Sequence, residues 1–314
     1  MTTTLDLPFQ LGQPQQAGGI TMTPLFPLQD PVCDYVSLDE ALAGGLDISE
    51  VHEVGDVGEL AVRNPFDRGV LLYDGEELVG AKQNRILNVS VLLGAGSTAR
   101  IPVSCVERGR WSWRDRSFRS AGHVAGPQLR RHKAASLRTD ALARGAAQST
   151  VWAAVDIQLK AVGALSPTAA NSDGFRARAT DIRSVSERFA LEPGQCGMVA
   201  SIAGRGWCLD AVSRPAVFER VYPKLLAGYV YDALESAGET APAEQVLATL
   251  TRCVAKRGPS VALGEDVRIE GKGAIASGLA VDASWCRSRP TARSETARRT
   301  LRRRAWERRR ASTR

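Results

Sequence analysis

The chain is short of the residues that announce a metal or redox centre. Its three histidines, His52, His123 and His132, lie far apart, and its six cysteines (Cys33, Cys105, Cys196, Cys208, Cys253 and Cys286) include no CxxC pair. A structural zinc site needs clustered ligands, so the sequence offers no metal site. Disulfide frameworks belong to short secreted chains, and scattered cysteines at this length read as free, mostly buried thiols. No stretch approaches the roughly 18 apolar residues of a spanning helix. The start, MTTTLDLPFQLGQPQQ, lacks the basic segment and apolar run of a secretory signal. The expectation is a cytoplasmic protein with no membrane segment. No motif names a cofactor.

What is present suits a globular fold. Hydrophobic residues make up 44% of the 314 and charged residues 24%, enough to bury a core in one large domain or two small ones. The formal charge of +7 is unevenly placed. Residues 283–314 hold twelve Arg against Glu295 and Glu307, a net of +10, which leaves −3 for residues 1–282. The basic character therefore belongs to the end of the chain and says nothing of nucleic-acid binding by the rest.

Residues 1–35, rich in Pro, Gln and Gly, read as an extended lead-in with one edge strand near 19–26. Ser37-Leu38-Asp39-Glu40 is a capping box, and Gly44-Gly45 stops the helix it opens. A period of two then marks strands over 51–54, 59–63, 69–73, 86–93 and 97–106, with turns at Asn64-Pro65, Asp74-Gly75 and Gly94-Ala95-Gly96. Within them Leu87, Val89, Val91 and Leu93 share a face, as do Ala99, Ile101, Val103 and Cys105. From about 126 the period is helical: a polar segment over 130–145, then helices over 151–162, 175–189, 215–237 and 243–255. A hairpin interrupts them at 196–210, and strands over 266–270 and 273–281 close the fold. The prediction is one α+β domain over 36–282. Its β-rich part, 47–114, forms an antiparallel sandwich or partial barrel, and helices with a smaller αβ unit follow over 126–282.

Chemistry concentrates in 73–114. Glu76, Glu77, Lys82, Gln83, Asn84 and Arg85 crowd a turn, where cations can hold phosphate or carboxylate and a carboxylate can accept from ribose hydroxyls or act as a base. Surface ion pairs on a solvated hairpin would look the same. Strand alternation places Cys105 on the apolar face and Glu107 at the end of that face, where a carboxylate can acquire a raised pKa. Arg110, Trp111 and Trp113 can stack a base or hold phosphate, or simply pack. Cys105 reads more readily as a small buried residue than as a nucleophile. Glu76, Glu77 and Glu107 are thus the candidate catalytic residues, and Lys82, Gln83, Asn84, Arg85, Arg110 and Trp111 the candidate ligand contacts.

The motifs LLYDGEELVGAKQNRILNVSVLL and IPVSCVERGRW resemble the bacterial ARG-and-rhodanese-phosphatase-superfamily-associated protein domain family, and the likeness extends over most of the chain. The family motif falls on Gly75, Glu76, Glu77, Gly80, Ala81, Lys82, Gln83, Asn84, Arg85 and Asn88, then on Pro102, Ser104, Cys105, Glu107, Gly109, Arg110 and Trp111. The resemblance implies association with ADP-ribosylglycohydrolase-type and rhodanese or phosphatase-type proteins, and hence a link to ADP-ribose or nucleotide chemistry. It implies no particular reaction.

Three functional readings follow: a domain that binds and can process an ADP-ribose or nucleotide-derived ligand, a non-catalytic sensor or adaptor using the same surface, and a nucleic-acid binder acting through the basic tail and Arg130-Arg131-His132-Lys133. The tail, 283–314, has no periodicity and few aliphatics, as a disordered basic arm would. It also matches an out-of-frame reading of a GC-rich gene. Sequencing the locus separates these: a frame that stays intact through the stop codon excludes the second.

Overall fold

The computed structural model describes residues 8–52, 55–56, 58–136, 144–271 and 274–281; the Arg-rich stretch 283–314 lies outside them. In chain order the strands of the first part are β1 (Phe9–Leu11), β2 (Gln15–Ala17), β3 (Ile20–Pro27) and β4 (Tyr35–Ser37). Helix α1 (Leu38–Ala43) precedes β5 (Asp47–Glu50), β6 (Glu59–Arg63), β7 (Gly69–Leu72), β8 (Glu76–Gly80), β9 (Arg85–Leu87), β10 (Val91–Leu93), β11 (Thr98–Cys105) and β12 (Phe118–Val124). Then come α2 (Pro127–Ser136), α3 (Arg144–Ala161), α4 (Asn171–Ala177), α5 (Ala179–Ser186), β13 (Gly197–Ile202), β14 (Gly206–Ala211), α6 (Pro215–Ala233) and α7 (Ala243–Leu250). Strands β15 (Val254–Pro259), β16 (Glu265–Gly271) and β17 (Ala274–Ala280) end the described chain.

The class is α+β, as expected, with a curled half-barrel sheet in the N-terminal half. That sheet runs β12-β8-β9-β11-β6-β5, all antiparallel. A three-stranded sheet, β10-β7-β4, shares its core of Leu60, Val62, Leu72, Leu87, Leu93 and Ile101. The capping box of α1 is formed: Glu40 N–H donates to Ser37 Oγ, and Ser37 N–H donates to Glu40 Oε2 at 3.0 Å.

Several sequence boundaries move. The lead-in is extended, but β3 is no edge strand, because β1 and β2 pair with it on one side and β13 on the other. Its near-continuous burial is what a strand flanked on both sides requires. The strand expected over 51–54 forms earlier, as β5, and part of 51–54 lies outside the described residues. The single strand expected over 86–93 breaks at 88–90 into β9 and β10, which join different sheets. Glu76 and Glu77 belong to β8 rather than to a loop, so the tip expected at 76–85 shrinks to residues 81–84, all of them buried rather than solvated.

Two buried polar knots tie the helical half to the sheets. Arg130 of α2 donates through both Nη atoms to Asp210 of β14, at 2.7 and 2.6 Å, and the hydroxyls of Tyr73 and Tyr229 donate to the same carboxylate. Burial alone would raise the Asp210 carboxyl, but Arg130 and the two hydroxyls outweigh it and hold it below its usual range. Gly75 (φ +84°) opens β8 beneath Arg130: a Cβ there would lie 2.4 Å from Arg130 Cδ. Lys133, fully buried, donates to Asp74 and to the Leu87 carbonyl. Arg130 and Lys133 thus face inward and are not the exposed basic segment that nucleic-acid binding would need. Cys105, Cys196, Cys208 and Cys253 carry free thiols; Cys33 does not.

The second knot is Asp232 of α6, which accepts from the Gln128 backbone N–H at the start of α2 and from Gln158 Nε2 of α3, both at 2.7 Å. Burial pushes its carboxyl up to about 6 from 3.8. A carboxyl with a raised folded-state pKa binds protons more tightly when folded, so its penalty is relieved as pH falls from 6 toward 4 and fully present above 6. Wild type is therefore expected to gain thermal stability relative to Asp232→Asn between pH 7.5 and 5. Parallel melting curves over that window would disprove it.

Candidate functional site

Strand β8 sends its two carboxylates in opposite directions, as successive residues of a strand must. Glu76 points toward α6, where Lys224 donates to Oε1, and its Oε2 accepts from the Tyr73 N–H at 2.8 Å. Burial nonetheless raises its pKa. Lys224 also pairs with Asp39 at 2.8 Å, so Glu76 secures α6 and α1 to the sheet. Glu77 points the other way. Its Oε2 accepts from Asn171 Nδ2 at 2.6 Å and meets His123 Nε2 at 2.8 Å. The His123 ring stacks on Phe175, with centroids 3.7 Å apart. The two adjacent carboxylates therefore do not share a site.

The turn between β8 and β9 is strained at Ala81, whose φ of +37° is rare for a residue with a Cβ. Arg110 holds it there. Its Nη1 donates to the Ala81 carbonyl at 2.7 Å and the Ser112 carbonyl at 2.8 Å. Its Nη2 donates to the Gly80 carbonyl at 3.1 Å, Asn84 Oδ1 at 3.2 Å and Glu107 Oε2 at 2.7 Å. Glu107 is 1% exposed and completes the clamp, accepting from the Asn84 N–H at 3.1 Å and the Thr168 hydroxyl at 2.9 Å. Burial would raise the Glu107 carboxyl, but these donors outweigh it and hold it below its ordinary value. This reverses the raised pKa expected of a carboxylate at the mouth of a core. Asn84 also donates to Ser172 Oγ at 3.1 Å, so the turn, the segment after β11 and the connection into α4 form one unit.

Behind the turn lies Arg85, fully buried. Its Nη1 donates to Gln83 Oε1 at 2.9 Å, which also accepts from the Cys105 thiol at 3.0 Å. Gln148 of α3 fixes the Cys105 backbone, accepting from its N–H and donating to its carbonyl. Burial pushes the Cys105 thiol up, against the opposing pull of Arg85, which keeps it protonated and a poor nucleophile. Arg85 faces Glu50 of β5, with Nη2 and Oε1 3.7 Å apart and both side chains at most 2% exposed. Arg85 Nε and Nη2 and both Glu50 oxygens lack a hydrogen-bond partner among the described residues. On the outer side, Lys82 Nζ lies 5.4 Å from the centroid of Trp111 and 5.0 Å from that of Trp113, and Arg85 Cζ lies 5.8 Å from Trp111.

The two polar groups expected to meet, 76–85 and 107–111, do come together, except for Glu76. Lys82, Gln83, Asn84, Arg85, Glu107, Arg110 and Trp111 are joined by contacts, and Glu77 reaches them through Asn84, at a long 3.5 Å. Sequence reasoning missed Glu50, Thr168 and Asn171, and His123, which the sequence allows as a partner of Cys105, meets Glu77 instead. For Glu50 a signal existed: it lies two residues from Ile48, which is fully buried, and so shares the core face of β5, as Glu107 lies two residues beyond Cys105. No local pattern marks Thr168 or Asn171, which arrive from a connection that follows in the chain by about sixty residues.

With this geometry in view, comparison with known families is decisive. Residues 8–288 match the model of the ARG and Rhodanese-Phosphatase-superfamily-associated Protein domain. The chain belongs to that family. The match spans every described element and stops short of most of the Arg-rich end. No curated protein and no solved structure matches the chain. The family assignment therefore identifies the domain, and the chemistry must be argued from its own residues. Among the described residues no cluster of His, Cys, Asp and Glu is arranged to hold a metal ion, and no helix is long and apolar enough to cross a membrane.

The clamp has a mechanical consequence. Removing one member of a buried ion pair strands the other charge, at a cost of about 3 kcal/mol or more. Glu107→Gln is expected to destabilise by about that amount at pH 7. The lowered Glu107 pKa makes its contribution present above the ordinary carboxylate range and lost as pH falls through the folded value, so the deficit should shrink on acidification. Gly109→Ala should also destabilise, because its Cβ would lie 2.8 Å from Thr168 Cα, where Gly109 N–H donates to the Thr168 carbonyl at 2.7 Å. Denaturant titrations check both; wild-type midpoints would refute the clamp.

Proposed function

We propose that this domain binds an ADP-ribose or other nucleotide-derived ligand at Arg85, Glu50, Lys82 and Trp111. The observation that carries the reading is the buried Arg85–Glu50 pair with its unpartnered donors and acceptors. A buried ionic group without hydrogen bonds is costly, and a ligand that bonds to both repays that cost. The guanidinium donors suit phosphate, and the Glu50 oxygens suit ribose hydroxyls. Trp111, beside both cations, supplies a ring face for a base. The family's own description names association with ARG and rhodanese-phosphatase superfamily proteins, which supports a link to ADP-ribose chemistry in a cytoplasmic setting.

In this reading Glu77, Glu107, Gln83, Asn84 and Arg110 position the site. Most of their hydrogen bonds are spent on one another, on the turn and on neighbouring side chains such as Asn171, His123 and Thr168, which favours binding over catalysis by Glu77 or Glu107. Glu76 stands outside it. An adaptor role is favoured by one feature: Trp111 and Trp113 lie about half exposed beside the motif, as a partner surface would.

A ligand that binds only the folded state must raise its melting temperature. ADP-ribose, ADP, AMP and ribose 5-phosphate are the panel. The expected result is a shift with ADP-ribose that Glu50→Gln and Arg85→Lys abolish and Glu76→Gln retains, whatever the variants' starting stability. No shift with any member of the panel in a well-folded sample would reject the reading.

A further inference from the structure

The connection from β11 to β12 exposes more aromatic and cationic surface than one nucleotide needs. Trp111 and Trp113 are 48% and 45% exposed. Their rings are held in place, since the single ammonium of Lys82 contacts both, and Arg116 Cζ lies 5.8 Å from the Trp113 centroid. Exposed arginines line the same connection. Arg108 pairs with Asp156 at 3.0 Å, and the nearest carboxylate to Arg114 is Glu107 at 3.9 Å. Arg116 has no carboxylate partner among the described residues. Asp115 is the lone acid between 108 and 117. This positive patch sits on a domain whose residues 1–282 carry a net negative charge, so it is a local feature and not a consequence of a generally basic surface.

Two exposed indoles edged by guanidiniums are the components of a single-strand platform, because every base offers a ring face and every linkage a phosphate. Paired bases hide their faces in a duplex, so such a platform selects unpaired strands. We propose that Trp111 and Trp113 stack successive bases of a single-stranded oligonucleotide, with Arg108, Arg114 and Arg116 on its phosphates. The inference rests on the nucleotide reading of the site and extends it from one unit to a linear ligand.

The test uses the full chain, a fluorescently labelled single-stranded ten-mer, a duplex of the same sequence and AMP, with binding followed by anisotropy and competition. The expected result is a ten-mer bound at least tenfold more tightly than AMP or the duplex, weakening steeply between about 50 and about 200 mM salt. Trp111→Ala and Trp113→Ala should each lower affinity roughly fivefold to a hundredfold. Trp113→Phe should restore most of the loss, and unchanged melting temperatures should show that the fold persists. Arg116→Ala should weaken binding and reduce the salt slope. AMP bound as tightly as the ten-mer, with no effect of Trp113→Ala, would overturn this proposal and leave the single-nucleotide reading standing. Binding of neither would overturn this proposal, while the ADP-ribose panel alone decides the single-nucleotide reading. Ten-mer binding indifferent to both tryptophans would also overturn it, by placing the contact elsewhere, for example on the Arg-rich end.

Discussion

Arg110 is a guanidinium buried against a carboxylate, and the shape of the whole site follows from that pair. Its donors reach the carbonyls of Gly80 and Ala81, the Asn84 side chain and Glu107. Few other side chains could do this, since the planar fork presents several donors in fixed directions. The pair holds a turn whose Ala81 sits in a costly backbone region and joins it to a segment more than twenty residues later in the chain. Buried ion pairs are weak sources of net stability. This one is better understood as fixing a single arrangement of the turn, with Arg85 directly behind it.

That division of labour changes how the polar residues are read. A dense run of charges and amides suggests many ligand contacts, yet most of these groups are occupied with one another. Glu77 receives Asn171 and lies against His123; Glu107 receives Arg110, Asn84 and Thr168; Gln83 bridges Arg85 and Cys105. Among the site's residues the hydrogen-bonding capacity left over lies mostly on Arg85 and Glu50, with Arg110 Nε and Asn171 Oδ1 besides. The likeness in sequence between Glu76 and Glu77 is therefore misleading: one braces α6 and the other faces the site.

Much of this was legible from residue order. The capping box at Ser37, the strand at 59–63, the hairpin at 196–210 and the long helix opened by Pro215 all appear within a residue of where local rules put them, because each depends on neighbouring residues alone. The meeting of the polar groups at 76–85 and 107–111 was legible too, since Glu107 and Cys105 had to share a face. Where reading failed, the cause was non-local. β3 reads as an edge strand because its partner β13 lies far along the chain. The run 86–93 reads as one strand because its division between two sheets is imposed by packing, not by its own alternation. Arg130 and Lys133 read as a surface basic run because Asp210 and Asp74, which neutralise them, are distant in sequence.

The central claim is that the Arg110–Glu107 pair makes one unit of the turn at 81–84 and the segment after β11. Amide hydrogen exchange in Arg110→Ala against wild type tests it directly. The account predicts that the amides of Asn84, Val106 and Arg114, whose acceptors all lie across this junction, lose protection together while β13 and α6 keep theirs. Loss at the turn alone, with Val106 and Arg114 still protected, would contradict it.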